Sequence, residues 1–384
     1  MAASPYYGLS WMIILFLFAY PIGLVVTILW FILQVSDYEY DELEMLGNSN
    51  SDSNSSSTLT TGVILIHPIG VGIGKWFYER LMSALYENSN QTDLHLKVVV
   101  PDLLGSASAC NPTVKPDKFR LRNLPLLNIS DWSDQILDLM SKTQQDTNVQ
   151  SWCIVANGGC SPIALQVAQK STHCNSSTPI NVSNIILSSI PRLPFFLEAS
   201  SNPNKVAKSY KTLCGVIGNL FWWYSCRNEG SFIQRFSEKN LVANPQTLGP
   251  TWRSNCYKTA KMNNGRSKYS TFAFLAGALQ DGCIQSLKSL KKSKCTIQVH
   301  IIKGIDKRRN RAKSWFWQSK RKVKDIEAHE EVKSNLSDYL RNNGIKGKEA
   351  TVNGRISLAH EDSIGYCNSM LYFLVSKNSN TMSK

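Results

Sequence analysis

The stretch WCIVANGGCSPIALQVAQK, residues 152–170, decides the fold. Its first five residues are apolar and include two β-branched side chains, which is typical of a buried strand. Gly158 and Gly159 then interrupt the apolar run, and Pro162 suits the first turn of a helix that continues to Lys170. The stretch therefore predicts a strand, a sharp turn and a helix in direct succession.

The same alternation of strands and helices surrounds this stretch. Short apolar runs bounded by Gly, Pro, Asn or Asp predict further strands, and helical spacing predicts the helices between them. The predicted elements are the strands Val63–His67, Leu96–Val100, Trp152–Ala156, Ile185–Ser188 and Ile297–Lys303, and the helices Trp76–Tyr86, Asp131–Ser141 and Pro162–Lys170. Strands that alternate with helices form a parallel, doubly wound sheet, so the predicted fold class is α/β. Ligands of such sheets bind at the carboxyl ends of the strands.

The composition excludes several classes of protein. The chain has 384 residues, of which 43% are hydrophobic and 18% charged, with ordinary amounts of glycine and proline. These values exclude collagen-like, coiled-coil and wholly disordered chains. The ten cysteines form no C-x-x-C pair and have no Cys/His spacing suited to zinc, so no metal site is expected.

The first 36 residues are predicted to be a membrane anchor. Residues 11–35 carry no charge, and 25 helical residues at about 1.5 Å each exceed a hydrocarbon core of about 30 Å. A cleaved signal peptide is the alternative, but it needs a basic leading region and an apolar core of about 7–15 residues. No Lys or Arg precedes Lys75. The sequence thus predicts a single-pass membrane protein whose compartment and orientation stay open.

The rest of the chain divides by composition. Residues 37–60 are predicted to be a disordered polar tether, because Gly47–Thr60 is almost entirely Ser, Asn, Thr and Asp. Residues 61–376 are predicted to form one domain, and residues 377–384 a tail. Within the domain, residues from about 193 to 270 interrupt the alternation and are rich in aromatic side chains, which predicts a helical cap. The aromatic side chains would either shape an apolar pocket or fill the cap's own core.

The glycine-rich loop after the first strand invites a nucleotide-binding interpretation. Residues 67–74 read HPIGVGIG, but Lys75 stands where G-x-G-x-x-G needs its third glycine. The P-loop pattern G-x-x-x-x-G-K-[ST] fails as well. No cofactor is therefore expected.

Several motifs, in their order and spacing, resemble the α/β-hydrolase fold family, in particular its cyanobacterial, algal and plant branches. The motifs are His67–Gly70 (HPIG), Pro101–Gly105 (PDLLG), Ile154–Leu165 (IVANGGCSPIAL), Gly304–Asp306 (GID) after a strand, and His360 ahead of a final helix, Ile364–Val375. The resemblance covers about residues 61–376. It implies a helical cap and a nucleophile on a sharp strand-to-helix turn, assisted by a histidine base and an orienting acid.

The resemblance also implies roles for individual residues. His360 would be the general base and Asp306 its orienting acid, although a histidine on a surface loop is the plain alternative for His360. The backbone N–H groups of Ile69 and Gly159 would stabilise the oxyanion. The family spacing S-x-G-G-x-x-A, however, places the nucleophile at Gly158, which has no side chain to attack with.

Three explanations of this glycine remain open. The turn slips along the chain, so that Cys160 or Ser161 is the nucleophile; or the reaction needs no covalent step; or the fold is kept as a binding or scaffolding module. The leading expectation is a membrane-anchored hydrolase-like protein that acts on an apolar ester, for example a lipid-derived one. The alternative is a catalytically inactive member, a pseudoenzyme, that binds a ligand or a partner.

Positive charge is concentrated in one region. Residues 251–325 hold 19 Lys and Arg against three Asp, in a chain whose net charge is +14, and Lys307–Lys324 surrounds three aromatic residues, Trp315–Trp317. This combination suits an anionic membrane surface, and a solvated basic loop is the alternative. The expected partners are therefore membrane lipids and a small apolar substrate or ligand. Nucleic acid is not expected, because no nucleic-acid-binding motif accompanies the charge.

Overall fold

The strands of the described residues form one sheet in the order β1-β3-β2-β4-β5-β6-β7 in this computed structural model. The structure describes residues 40–45, 60–89, 94–109, 126–172, 179–190, 196–197, 202–265, 267–280, 283–292, 297–305 and 336–375. The strands are β1 (Tyr40–Met45), β2 (Thr60–Ile66), β3 (His95–Pro101), β4 (Val149–Asn157), β5 (Val182–Ser188), β6 (Gln298–Ile305) and β7 (Glu349–Asn353). Strands β2 to β7 pair in parallel, whereas β1 runs antiparallel to β3.

Helices connect the strands and cover both faces of the sheet. They are α1 (Glu79–Ser89), α2 (Ile129–Asp146), α3 (Ser161–Ser171), α4 (Pro203–Cys214), α5 (Val216–Cys226), α6 (Ser231–Asn240), α7 (Thr251–Gly265), α8 (Lys268–Ala276), α9 (Ile284–Lys292), α10 (Leu336–Asn342), α11 (Leu358–Glu361) and α12 (Ser363–Val375). Short 3-10 turns, Lys75–Tyr78 and Gly158–Cys160, lead into α1 and α3.

The core follows from the two-residue period of the strands. In β2, Ile64 and Ile66 point to the face covered by α2, α3 and α9, while Val63 and Leu65 point to the face covered by α1 and α12. All four side chains are completely buried. A strand buried on both faces needs an uninterrupted apolar run, which is why these strands could be recognised from the sequence.

The predicted strands and helices are confirmed, with ends shifted by a few residues. Two strands were missed. β7 lies at the sheet edge with only Val352 buried, so it lacks an apolar run. β1 lies within residues 37–60, and the prediction of a disordered tether is wrong for Tyr40–Met45. This acidic segment gains order by pairing with β3, where Glu42 also contacts the buried Lys97 at 2.7 Å.

The segment predicted as a cap contains helices α4 to α8, inserted between β5 and β6. Part of its aromatic content forms an internal core, since the buried Trp222 and Phe272 meet edge to face at 6.0 Å. Other aromatic residues of the cap are exposed.

Several predictions concern residues outside the described ranges. These are the anchor over residues 1–36, most of Gly47–Thr60, the basic segment Lys307–Lys324 and the tail over residues 377–384. Among the residues that the structure does describe, no helix has both the length and the apolar character needed to cross a bilayer.

Candidate functional site

The turn between β4 and α3, Asn157–Ser161, has the backbone shape expected of a nucleophile-bearing turn, and is called the elbow below. Gly158 has φ +58°, in the left-handed region that favours glycine. A Cβ atom added at Gly158 would meet only the carbonyl oxygen of Ser189, at 3.8 Å. The elbow therefore makes a sharp turn at the nucleophile position and has room for a side chain there, but the glycine carries none.

The two alternative nucleophiles are buried and are held by other contacts. The hydroxyl of Ser161 donates a hydrogen bond to the carbonyl oxygen of Gly158 at 2.8 Å. Burial raises the pKa of the Cys160 thiol to about 12, and a hydrogen bond from the Ile69 backbone offsets only part of that effect. At neutral pH the thiol is therefore protonated, whereas a cysteine nucleophile reacts as the thiolate.

The two predicted oxyanion donors, Ile69 and Gly159, each lie beside another side chain. The Ile69 N–H group serves the Cys160 sulfur. At Gly159 the ring of Phe274, from α8, lies so close that an added Cβ atom would stand 2.9 Å from its Cε2. An oxyanion hole needs donors that are free to meet the developing charge, and the Phe274 ring narrows the space beside Gly159.

His360 lies in α11 and is buried rather than on a surface loop. Its ring packs edge to face against Trp252 at 4.6 Å and stacks on Phe77 at 6.4 Å. Nε2 lies 3.5 Å from the carbonyl oxygen of Leu248, and Nδ1 has no hydrogen-bond partner among the described residues. The imidazole thus makes no hydrogen bond to Cys160 or Ser161.

The environment of His360 keeps its ring neutral. Burial lowers its pKa to about 4, and the positive charge of Arg80 acts in the same direction, while the contact with Leu248 opposes them. The Arg80 guanidinium also donates to the His360 carbonyl oxygen at 3.2 Å, which ties α11 to α1. A neutral imidazole can accept a proton, but here it faces the aromatic rings of the core.

In the segment between β7 and α11, the residue that contacts the elbow is Ile356. Its carbonyl oxygen accepts hydrogen bonds from Asn157 Nδ2 at 3.1 Å and from Ser189 Oγ at 2.6 Å. Ile356 stands three residues after the last residue of β7, whereas His360 stands seven after it. The sequence analysis did not predict this contact. The available signal was the glycine at position 354, which in the structure has φ +141° where the chain turns toward the elbow.

The structure thus brings Ile69, Gly158, Gly159, Cys160 and Ser161 together, and His360 makes no hydrogen bond to any of them. Asp306, the predicted orienting acid, lies outside the described residues. Within the described part of the chain, no group of three or more His, Cys, Asp and Glu side chains is placed to hold a metal ion.

No family model and no curated protein matches this sequence. Solved structures do match. A protein assigned as an alpha/beta hydrolase from Nostoc sp PCC 7120 superposes with a TM-score of 0.53 at 12% identity, over 89% of this chain and 96% of that one. A haloalkane dehalogenase loop variant from Bradyrhizobium elkanii gives a TM-score of 0.50 at 12% identity, over 91% and 97%.

The chain has the α/β-hydrolase fold. The resemblance inferred from the sequence motifs is confirmed at the level of the fold. At 12% identity the likeness extends no further, and function has to be argued from the residues of the site.

Two of the motifs that carry the resemblance to the α/β-hydrolase fold have a structural role here. The buried His67 of HPIG accepts a hydrogen bond from the Leu103 N–H at Nε2, over 3.1 Å, and its Nδ1 donates to the Pro68 carbonyl oxygen at 3.0 Å. Burial lowers the pKa of His67, so the ring stays neutral in this arrangement. His67 therefore fastens the loop after β2 to the loop after β3.

Asp102 of PDLLG completes this connection. Its carboxylate is almost fully buried and accepts hydrogen bonds from the Lys75 N–H at 2.7 Å, and from the Ser108 N–H at 3.2 Å and hydroxyl at 2.5 Å. Gly74 leaves the space for it, since a Cβ atom there would stand 2.7 Å from Oδ1. The two motifs hold the carboxyl ends of β2 and β3 in place beside the elbow.

Proposed function

We propose that this protein is a membrane-anchored α/β-hydrolase-fold protein that binds an apolar ligand or a partner, and that it does not hydrolyse esters through a covalent intermediate at the elbow. The observation that carries the proposal is Gly158 at the nucleophile position, in a turn that has room for a side chain but carries none. The residue that would attack the ester is thus missing from the elbow.

The proton transfers of a covalent hydrolysis also lack support. A nucleophile is activated by a base within about 2.6–3.2 Å of it. Neither nitrogen of His360 is hydrogen-bonded to Cys160 or Ser161, and the Ser161 hydroxyl is committed to Gly158. Membrane anchorage is supported by the uncharged residues 11–35 alone.

The second candidate is the hydrolase of an apolar ester. One observation favours it: His360 Nδ1 is buried, and no described residue bonds to it. A neutral imidazole with an unpartnered nitrogen is what a general base requires. For this candidate the ring would have to leave its contacts with Trp252 and Phe77 and turn toward the elbow.

A Gly158→Ser variant separates the two candidates. The added side chain has room, and the left-handed backbone costs about 1–2 kcal/mol, so we expect a folded protein. Because Nε2 of His360 lies toward the Leu248 carbonyl oxygen and the ring packs against Trp252 and Phe77, we expect no labelling by a fluorophosphonate probe and no hydrolysis of p-nitrophenyl esters above background. Wild type should behave in the same way, and an active serine hydrolase provides the positive control.

Either of two results would contradict the proposal. If wild type hydrolyses the esters and His360→Ala, Cys160→Ala or Ser161→Ala abolishes the rate, the hydrolase candidate is correct. Labelling of Gly158→Ser that disappears in the Gly158→Ser/His360→Ala double variant would show that His360 reaches the elbow.

A further inference from the structure

Helix α5 presents an apolar face to the outside of the cap. The exposed side chains are Val216, Ile217, Leu220, Trp223 and Tyr224, each between 48% and 75% exposed. Positions i, i+1, i+4, i+7 and i+8 lie on one side of a helix, so these residues form a continuous stripe. The opposite side, with Gly218, Trp222 and Ser225, is buried in the cap. The helix is therefore apolar on both sides, and only one side packs against described protein.

The stripe continues onto the neighbouring helix. The Tyr224 ring lies 5.2 Å from Phe232 of α6, which stacks on Phe236 at 6.3 Å, and Phe236 is itself exposed. Single exposed apolar side chains are ordinary on protein surfaces, whereas a contiguous patch of this kind marks an interaction site.

The charge of the cap is complementary to an anionic partner. Its described residues between 202 and 280 include ten Lys and Arg but only two acids, Glu229 and Glu238. The Arg227 guanidinium lies 5.6 Å from the centre of the Trp223 ring, so a cation stands at the border of the apolar stripe itself. A second copy of this chain would bring like charges together and is disfavoured.

We propose that the α5 face docks on an anionic lipid bilayer. Aromatic and aliphatic side chains that enter the interface, with cations around them at the level of the headgroups, are the two requirements of an interfacial helix. This face differs from the basic segment Lys307–Lys324 singled out from the sequence, and it serves binding to the membrane rather than catalysis.

Within the described residues, the start of β1 and the start of the cap lie at the same end of the sheet. Tyr40, at the start of β1, pairs with Pro101, the last residue of β3, so the chain enters the sheet at the carboxyl ends of the parallel strands. The cap leaves the sheet at the same end, after Ser188 of β5.

Photo-crosslinking of the full chain tests the docking. Trp223→benzoylphenylalanine places the reactive group on the stripe, and Tyr86→benzoylphenylalanine on α1 is the matched control, since both native side chains are aromatic and about 60% exposed. The protein is reconstituted into phosphatidylcholine vesicles with or without about 30 mol % phosphatidylglycerol. In anionic vesicles we expect lipid adducts at position 223 on the order of tenfold above those at position 86, with a decrease in high salt.

The possible outcomes distinguish docking of the α5 face from anchoring by residues 1–36. Equal adduct yields at the two positions, or adducts of position 223 to protein instead of lipid, would overturn the docking. Extraction at alkaline pH reports on the anchor separately: a chain that stays with the vesicles but gives no lipid adduct at position 223 is anchored and undocked. A chain that is extracted but gives the adduct docks without being anchored.

Discussion

Replacing Asp102 by alanine should lower the free energy of unfolding by about 3–5 kcal/mol. The substitution removes an almost fully buried carboxylate that accepts three hydrogen bonds, from the Lys75 N–H and from the N–H and hydroxyl of Ser108. Hydrogen bonds to a charged group contribute about 1.5–3 kcal/mol each, so the loss of three of them, together with the cavity, accounts for the expected effect. Urea unfolding of the full chain in detergent micelles, followed by tryptophan fluorescence, measures the change.

Two variants serve as controls for Asp102→Ala. Asp102→Asn keeps one acceptor oxygen and the shape of the side chain, so its loss should be clearly smaller. Asp134→Ala removes an exposed carboxylate whose contact is with Lys170 at 2.6 Å, and an exposed pair of this kind contributes about 0–1 kcal/mol. If Asp102→Ala were no more destabilising than Asp134→Ala, the connection between the loops after β2 and β3 would have no structural importance.

Acidification from about pH 7 to about pH 4.5 should also destabilise the fold, through two buried histidines. Burial lowers the pKa of both His300 and His360 to about 4, whereas an unfolded histidine titrates near about 6.5. Between these pH values the unfolded chain binds more protons than the folded one, so stability is complete above about pH 6.5 and decreases as the pH falls. At 1.36 kcal/mol per pKa unit, each histidine accounts for about 2.5 kcal/mol at about pH 4.5.

Histidine variants isolate this effect from the titration of carboxylates. His300 is held by Asn184 and by the Lys348 N–H, and stacks on Phe373 at 4.4 Å, so His300→Gln keeps polar atoms while it removes the titrating group. His360→Asn does the same in α11. We expect each variant to have a shallower dependence of the unfolding free energy on pH than wild type, measured by urea unfolding at several pH values. An unchanged slope in the double variant would refute the assignment.

The sheet could be predicted from the sequence because its central strands are buried on both faces. A segment such as Val63–Ile66 must then be apolar at every position, and this run is visible without any structure. The strands β1 and β7 could not be recognised in this way. Each lies at an edge, and the segment of β1 is acidic; its order depends on a partner strand that is distant along the chain.

The site was predictable only in part. The order of the motifs located the elbow, and glycine at position 158 was evident from the sequence. The contact between the Ile69 N–H group and Cys160 depends on how two loops pack, which no local pattern encodes. The placement of His360 among aromatic rings depends on the three residues that separate it from Ile356. The position of His360 in the order of the family's motifs therefore did not establish its role as a general base.

The outer position of β1 has a consequence for self-association. An uncovered edge strand offers its free N–H and C=O groups to another chain and is a common route to aggregation. Here the edge next to β3 is closed by Tyr40–Met45, whose sequence YDELEM carries three carboxylates. A second molecule that added its own β1 alongside would set acidic side chains against acidic side chains, which is unfavourable. The same short segment that completes the sheet therefore keeps concentrated molecules from joining edge to edge at this side.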